Sequence, residues 1–331
     1  MKLSILDQSP IASGKTPQEA LQASADLAVL ADRLGYTRYW IAEHHDMAGL
    51  ACPNPDVMLG MVGARTSQIR IGAGAVLLPH YKPFRVAETY NLLATLYPGR
   101  IDLGIGRAPG GSAEASQALS GNFLQNVRDV PEKIDELQNF LHSSFDKDAM
   151  YARVKPTPVP SVEPKPWMLG TSDKSAIAAA EKGLPYVFGQ FMGAQDGPAI
   201  TKTYKDKFRE QHPEQTPETI VTVAVVCADT TEEAHDLALS NQLWRIKGDK
   251  GEGDGKIPEV HEAKSYTYTD DEKDTIQTMA DKTIIGNPQE VKQQLNELQS
   301  IYQVDEWMIV TITHSYEARA KSYELIAREM L

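Results

Sequence analysis

The sequence "YWIAEHH" (39–45) places one carboxylate and two imidazoles in consecutive positions, Glu43, His44 and His45. Histidine exchanges a proton near neutral pH, so such a group after a strand suits general acid or base catalysis. The same residue types ligate metals, but no second group of His, Asp, Glu or Cys at ligand spacing completes a set in the sequence. We therefore expect proton chemistry here and no metal.

The sequence "IRIGAGAV" (69–76) predicts a buried strand with Gly72 and Gly74 in its middle. Glycine inside a strand marks a bulge, a bend or a ligand pressed against the backbone. The sequence "GIGRAPGG" (104–111) has some of the glycine spacing of a dinucleotide-binding loop. Because Pro109 stands where the third glycine belongs and the following segment reads as a loop, we exclude that motif.

Short apolar runs alternate with longer amphipathic segments along the chain. The predicted strands lie at 3–7, 39–45, 69–78, 101–106, 166–170, 185–191, 219–228 and 306–311. Helices are predicted near 16–35, 55–67, 83–97, 121–145, 172–183, 195–212 and 230–246, and at the C-terminal "SYEARAKSYELIAREM". This alternation predicts an α/β fold, a single (β/α)8 TIM barrel domain over residues 1–331, although an open doubly wound sheet has a related pattern. In such a barrel the chemistry lies at the carboxyl ends of the strands.

Residues 247–274, "KGDKGEGDGKIPEVHEAKSYTYTDDEKD", interrupt this alternation. The segment is rich in glycine and charge and has no sustained apolar face, so we expect that it does not order itself. It forms an extended loop between strand 7 and strand 8 of the predicted barrel. Two interpretations stay open: a mobile lid over the active site and a solvated insertion.

The composition excludes several classes of protein. Acidic residues (45) outnumber basic ones (33), the formal net charge is -12, and no Lys/Arg block occurs, which argues against nucleic acid and anionic membranes as partners. The first residues lack the apolar core of a signal peptide and no run of about 18 apolar residues is present, so we expect a cytoplasmic protein. Cys52 and Cys227 are too few for a disulfide framework or a thiolate cluster.

Several segments together resemble one family. They are "YWIAEHH", "IRIGAGAVLLPHYKPFRVAETYNLLATLYPGRIDLGIGR", "PWMLGTSDKSAIAAAEKGLPY", "IIGNPQEVKQQL" and "EWMIVTITHSYEARAKSYELIA". In order, and over nearly the whole chain, they are similar to the bacterial luciferase-like flavin-dependent monooxygenase family, most specifically from Ile69 to Arg107. The resemblance implies a barrel enzyme that takes reduced FMN, supplied by a separate NAD(P)H:flavin reductase, as a co-substrate with dioxygen. It implies oxidation of a small organic substrate, for example an aldehyde or ketone, through a flavin C4a-peroxide.

The resemblance also assigns residues. His44 matches the catalytic histidine of the family, and the Gly74–Ala75 bond matches a non-proline cis peptide beside the flavin ring. The cofactor-binding residues that it implies are Gly74, Ala75, Gly106, Arg107, Gly170, Thr171, Ser172 and Ser175. A guanidinium and a helix start suit the FMN phosphate. Helix capping by the hydroxyl residues and a structural salt bridge for Arg107 are the alternatives.

His45 and Glu88 match residues that contact the partner subunit in luciferases, so we expect a homodimer through the second and third helices. Gly106 stands where luciferase has a reactive cysteine, which argues against light emission. Side chains that face the substrate are expected among Gln8, Tyr81 and Gln190.

Two other functions stay open. A sister branch of the family uses a deazaflavin, so the same barrel would serve a deazaflavin-dependent hydride-transfer oxidoreductase. A flavin-binding protein without catalytic activity is the other alternative.

Overall fold

Parallel strands form one closed sheet in the computed structural model, which describes residues 1–193, 196–304 and 306–331. The strands are β1 (Lys2–Asp7), β2 (Arg38–Ile41), β3 (Arg70–Leu77), β4 (Ile101–Gly106), β5 (Lys165–Gly170), β6 (Tyr186–Gly189), β7 (Thr219–Cys227), β8 (Thr283–Gly286) and β9 (Glu306–Val310). Strands β1 to β6 pair in sequence, β1 pairs with β9, β9 with β7, and β7 with β6, which closes an eight-stranded barrel. The additional strand β8 pairs with the second half of β7, Ala224 to Cys227.

Helices surround this barrel and connect its strands. They are α1 (Pro17–Leu34), α2 (Pro55–Arg65), α3 (Pro83–Leu96), α4 (Ala113–Ser120), α5 (Phe123–Arg128), α6 (Val130–His142), α7 (Asp173–Glu181), α8 (Gly197–Gln211), α9 (Thr231–Lys250), α10 (Val260–Ser265), α11 (Asp270–Ala280), α12 (Pro288–Tyr302) and α13 (Tyr316–Met330). None of these helices has the length and apolarity needed to cross a membrane.

The structure confirms the (β/α)8 barrel and corrects several predicted bounds. The second strand ends at Ile41 rather than at 45, and β6 ends at Gly189 because Gln190 begins a 3-10 turn. The helix predicted near 121–145 is divided into α5 and α6, and the short strand β8 was not predicted. The predicted start of the next helix at Gln195 lies outside the described residues, and α8 begins at Gly197.

The prediction that residues 247–274 would not order is wrong, because the segment includes α10 and the start of α11. Ile257 is fully buried and forms a bridge with Ala12 in the loop after β1. The Lys250 ammonium lies 2.6 Å from the Glu272 carboxylate, which also caps α11. One buried isoleucine and a few ion pairs therefore fix a segment whose composition alone favours disorder. Its movement as a lid stays a prediction.

Two tryptophans fill the interior of the barrel. Trp40 and Trp167 meet edge to face, with ring centroids 5.9 Å apart, and both are buried. A β-carbon added to Gly72 would lie 2.9 Å from Trp40 Nε1 and 2.7 Å from the Asp102 carbonyl oxygen, and one added to Gly74 would lie 2.7 Å from Leu6 Cδ1. The glycines of β3 therefore make room for the core of the barrel itself, in addition to any ligand above it.

Replacing Gly72 with alanine should lower the free energy of unfolding by about 1 to 3 kcal/mol, because the new methyl group meets backbone that cannot move aside. Gly60→Ala is the matched control, since Gly60 lies inside α2 with open space around its missing β-carbon. That change should raise stability by about 0.5 to 1 kcal/mol. Urea titration of both variants measures the difference, and similar effects of the two changes would contradict this account of Gly72.

Candidate active site at the mouth of the barrel

His44 lies just beyond the end of β2, at the carboxyl edge of the barrel. Its backbone N–H donates to the Cys52 carbonyl oxygen at 3.0 Å, which fixes the main chain. The imidazole Nδ1 is buried and has no hydrogen-bond partner within the described part of the protein. The side chain that the sequence predicts as catalytic therefore keeps one ring nitrogen available for a ligand.

Burial lowers the pKa of His44 to about 4, and the neighbouring imidazole of His45 lowers it further in the same direction. His44 is therefore neutral at pH 7, with one nitrogen that donates and one that accepts. From the sequence alone, His44 is expected to gain or lose a proton near pH 7. Burial in the folded protein moves this titration to a lower pH. A neutral imidazole can hold a proton at a defined position without carrying a permanent charge into the site.

The buried imidazole should make the folded state sensitive to acid. Because the pKa falls from 6.5 to about 4 on folding, the unfolded chain binds the proton more tightly, so stability rises with pH between these values. We expect the protonation of His44 to lower the free energy of unfolding by about 3 kcal/mol as the pH falls from 7 to 4. His44→Gln should flatten the pH dependence of urea unfolding relative to His235→Gln, which changes an exposed histidine. Parallel curves for the two variants would refute this assignment.

The end of β3 forms a wall of small residues beside His44. The Gly74–Ala75 peptide bond is cis, as the resemblance predicts, and the pairing of β3 with β4 shifts between Ala73 and Val76. Gly106 ends β4 next to this bulge, since a β-carbon added to it would lie 3.0 Å from the Ala75 β-carbon. Side chains are thus absent or minimal where the two strands meet the mouth.

Arg107 follows this wall and is exposed. Among the described residues no carboxylate forms an ion pair with its guanidinium, so the interpretation of Arg107 as a structural salt bridge finds no partner there. Burial raises the pKa of Tyr186 to about 12, while the Ser175 hydroxyl and the Arg107 charge act in the opposite direction. The Arg107 charge therefore acts on the Tyr186 hydroxyl, which contacts Ser175 in the first turn of α7.

The loop between β5 and α7 brings four predicted residues together: Gly170, Thr171, Ser172 and Ser175. The Ser172 side chain accepts from the Ser175 backbone N–H and caps α7. The Ser175 hydroxyl lies 2.6 Å from the Ser172 carbonyl oxygen and 2.9 Å from the Tyr186 hydroxyl. A β-carbon added to Gly170 would lie 2.2 Å from the Ser175 hydroxyl oxygen. The buried Ser175 thus stabilises the turn through its hydrogen bonds. Thr171 and Ser172 are half-buried at the same turn. Asp173 adds a negative charge to the first turn of α7.

The three side chains expected to face the substrate differ in their surroundings. Gln8 is half-buried after β1, and Gln190 has a buried Oε1 without a hydrogen-bond partner in the described ranges. The Tyr81 hydroxyl is engaged, because it donates to Glu43 Oε1 at 2.8 Å. Within those ranges no three His, Cys, Asp or Glu side chains are grouped so that they could hold a metal ion.

Sequence reasoning singled out the position of Glu43 after β2 but did not predict the partners of the polar groups behind the mouth. Glu43 is buried and lies 2.8 Å from His45 Nε2, so His45 is paired inside its own chain. Asp7 and Arg319 form a buried ion pair at 3.0 Å that joins β1 to α13. Asp7 ends β1 and Glu43 follows the end of β2, and these positions indicate that both lie at the mouth of the barrel. Their partners could not be predicted because most of them are distant in sequence.

The fold and the site define a TIM-barrel enzyme with an exposed cation, a helix start and a buried imidazole at one edge. The family model described as luciferase-like monooxygenase matches residues 1–303. The chain belongs to the luciferase-like monooxygenase family, and it is an enzyme of the flavin-dependent monooxygenase class.

Curated relatives match this chain from end to end. The uncharacterized protein YceB of Bacillus subtilis (strain 168) is 40% identical over 329 residues, which are 99% of each chain. The N-acetyl-S-alkylcysteine monooxygenase of the same organism is 34% identical and covers 100% of this chain and 98% of its own.

Solved structures share the fold. Apo-MsnO8 is 32% identical, with a TM-score of 0.87, over 99% of this chain and 97% of that one. The oxygenating constituent of 3,6-diketocamphane monooxygenase from Pseudomonas putida, a type II Baeyer-Villiger monooxygenase solved with FMN, is 20% identical with a TM-score of 0.72 and covers 99% and 97%. An F420-dependent secondary alcohol dehydrogenase is 13% identical with a TM-score of 0.66 and covers 100% and 99%. At these lower identities the likeness concerns the fold.

Proposed function

We propose that this enzyme uses reduced FMN and dioxygen to oxidise a small organic substrate. A separate NAD(P)H:flavin reductase supplies the reduced FMN, and the reaction takes place in the cytoplasm. The observation that carries the proposal is the exposed guanidinium of Arg107 after β4, next to the strand β5 that leads into the start of α7, at the same edge of the barrel as His44. A fixed cation beside the start of a helix suits a phosphate ester.

The residues at the mouth fit FMN in three respects. Arg107, Thr171 and Ser172 would hold the phosphate through a guanidinium and the start of α7. Ala75 and Gly106 leave a wall without long side chains, against which a planar ring can lie. The buried Nδ1 of His44 lacks a partner and would receive one from the bound ligand.

Reduced FMN, when bound, supplies the electrons that activate dioxygen. The protein supplies position and exclusion of water. His44, neutral at pH 7, would donate or accept one hydrogen bond at the reacting centre and hold a proton there, which general acid–base catalysis requires. The apolar cluster inside the barrel, which includes Leu6, Ala42 and Leu169, would keep bulk water away from the site.

An anaerobic titration tests the proposal. The purified protein is mixed with reduced FMN or with a reduced deazaflavin, and each complex is then exposed to dioxygen and candidate substrates. The substrates include aldehydes, ketones and N-acetyl-S-alkylcysteines, because the named B. subtilis relative acts on the last group. Saturable FMN binding and a product that contains one oxygen atom from dioxygen would support the proposal. Tight binding of the deazaflavin alone would assign hydride transfer instead, and FMN binding without turnover would assign a flavin-binding protein.

We also propose that two copies of the chain associate through α2 and α3. The outer faces of these helices expose Val57 (71%), Met61 (37%), Leu92 (49%) and Leu96 (56%). Exposed apolar side chains on adjacent helices favour a protein interface, and a second copy offers the same surface. In this proposed dimer the His45 side chain does not contact the partner, because it is already paired with Glu43 of its own chain.

The double variant Val57→Asp, Leu96→Asp should be monomeric in sedimentation experiments in which the unchanged protein is a dimer, because it places charge on the contact. Met150→Asp is the control, since Met150 is 86% exposed on a different part of the surface. A double variant that sediments as the unchanged protein does would remove this surface from consideration.

A further inference from the structure

Glu43 is a buried carboxylate that no step of the proposed reaction uses. It lies between β2 and His44 and is 4% exposed. Its Oε1 lies 2.8 Å from His45 Nε2 and accepts from the Tyr81 hydroxyl at 2.8 Å, and its Oε2 accepts from the Leu77 backbone N–H at 3.2 Å. Both oxygens of the carboxylate are therefore engaged by groups from neighbouring segments.

These contacts join parts of the mouth that the sheet itself does not join. The register between β2 and β3 ends at the pair Ile41 and Ala73. Residues 74–77 of β3, with the bulge and the cis peptide, continue beyond that last pair. The bond from Leu77 to Glu43 links this bulged end to the segment that carries His44.

The connection extends to the next strand. The His45 ring contacts Glu43, and the His45 backbone N–H donates to the Gly110 carbonyl oxygen at 2.8 Å. Gly110 lies three residues after Arg107 in the loop that follows β4. One carboxylate thus connects the loop after β2, the end of β3 and, through His45, the loop after β4.

We propose that Glu43 is a positioning residue, which fixes the bulged end of β3 against His44 so that both face the bound flavin and substrate. The inference rests on the function proposed above. A residue needed only for packing would be apolar at this position, because burying a carboxylate costs free energy that an apolar side chain of similar volume does not. Glutamine has only one acceptor oxygen, so it can satisfy these three neighbours only if the His45 tautomer and the Tyr81 hydroxyl both reverse their hydrogen-bonding roles.

The test compares Glu43→Gln and Glu43→Asp with Glu163→Gln. Glu163 also contacts a histidine, at 2.6 Å from His142 Nδ1, but this pair is on the surface. Hydrogen–deuterium exchange of the peptide that spans 74–82 is measured without flavin, and steady-state kinetics with reduced FMN and substrate are measured separately. Tyr81→Phe removes one of the three donors and provides a milder variant if Glu43→Gln fails to fold.

We expect exchange in 74–82 to accelerate about 10-fold in Glu43→Gln and less in Tyr81→Phe, since a hydrogen bond to a charged group is lost. We expect kcat to fall about 10-fold, with KM for reduced FMN changed less than about 3-fold, because the reacting geometry is lost and the contacts to the FMN phosphate remain. Glu163→Gln should change neither the exchange rate nor kcat. Glu43→Asp should show smaller changes in both quantities than Glu43→Gln does.

Unchanged exchange in both Glu43→Gln and Tyr81→Phe would overturn the inference, and so would a KM effect that equals or exceeds the kcat effect. If the unchanged protein does not bind reduced FMN, the proposed function fails, whereas the exchange experiment still decides whether Glu43 holds the end of β3.

Discussion

Replacing His44 with alanine should lower the rate of coupled substrate oxygenation by about 100-fold, while the dissociation constant for reduced FMN changes less than about 3-fold. The reason is that loss of a positioned acid–base group typically costs two to four orders of magnitude in rate. The contacts of Arg107 and of the α7 start, which we assign to the phosphate, follow other strands, β4 and β5, and stay intact. Rapid-mixing kinetics with separate assays of product and hydrogen peroxide measure this, and we expect peroxide to replace product.

His235→Ala is the matched control, because His235 is exposed on α9 and is not among the residues that we assign to the site. It should leave rate and product yield unchanged. If His44→Ala weakens FMN binding in the same proportion as it lowers the rate, His44 acts in binding or in structure and the catalytic assignment is wrong.

Replacing Arg107 with alanine should raise the dissociation constant for reduced FMN by about 10- to 100-fold, since charge-assisted hydrogen bonds to phosphate contribute about 1.5 to 3 kcal/mol. Binding of reduced riboflavin, which lacks the phosphate, should change less than about 3-fold. Because Arg107 is exposed, the change should leave the free energy of unfolding nearly unaltered. Anaerobic fluorescence titration with both flavins provides the comparison.

Arg128→Ala removes another exposed arginine, at the end of α5, and should leave both dissociation constants unchanged. Arg107→Lys should recover part of the FMN affinity, because it keeps the charge but not the bidentate geometry. Equal losses for FMN and riboflavin would show that Arg107 does not contact the phosphate.

The sequence by itself determined the barrel and which residues follow its strand ends, where we predict that the chemistry takes place. Apolar runs that alternate with capped amphipathic helices predict strands and helices from local spacing, and parallel strands then bring their carboxyl ends to one edge. His44, Arg107 and the residues from Gly170 to Ser172 could be chosen for this reason. The short strand β8 could not, because four residues give too little periodicity to distinguish a strand from a loop.

Only the tertiary structure decided the properties that depend on distant neighbours. Burial makes His44 neutral, and Trp40 from the adjacent strand explains the glycines of β3. Residues 247–274 order because Ile257 reaches a buried site beside Ala12. The carboxylate of Glu43 joins the loop after β2 to the end of β3 and, through His45, to the loop after β4, and no spacing reveals these contacts. Spacing along the chain reports which residues share a strand or helix face, whereas burial, pKa and hydrogen-bond partners depend on segments that meet only in the folded protein.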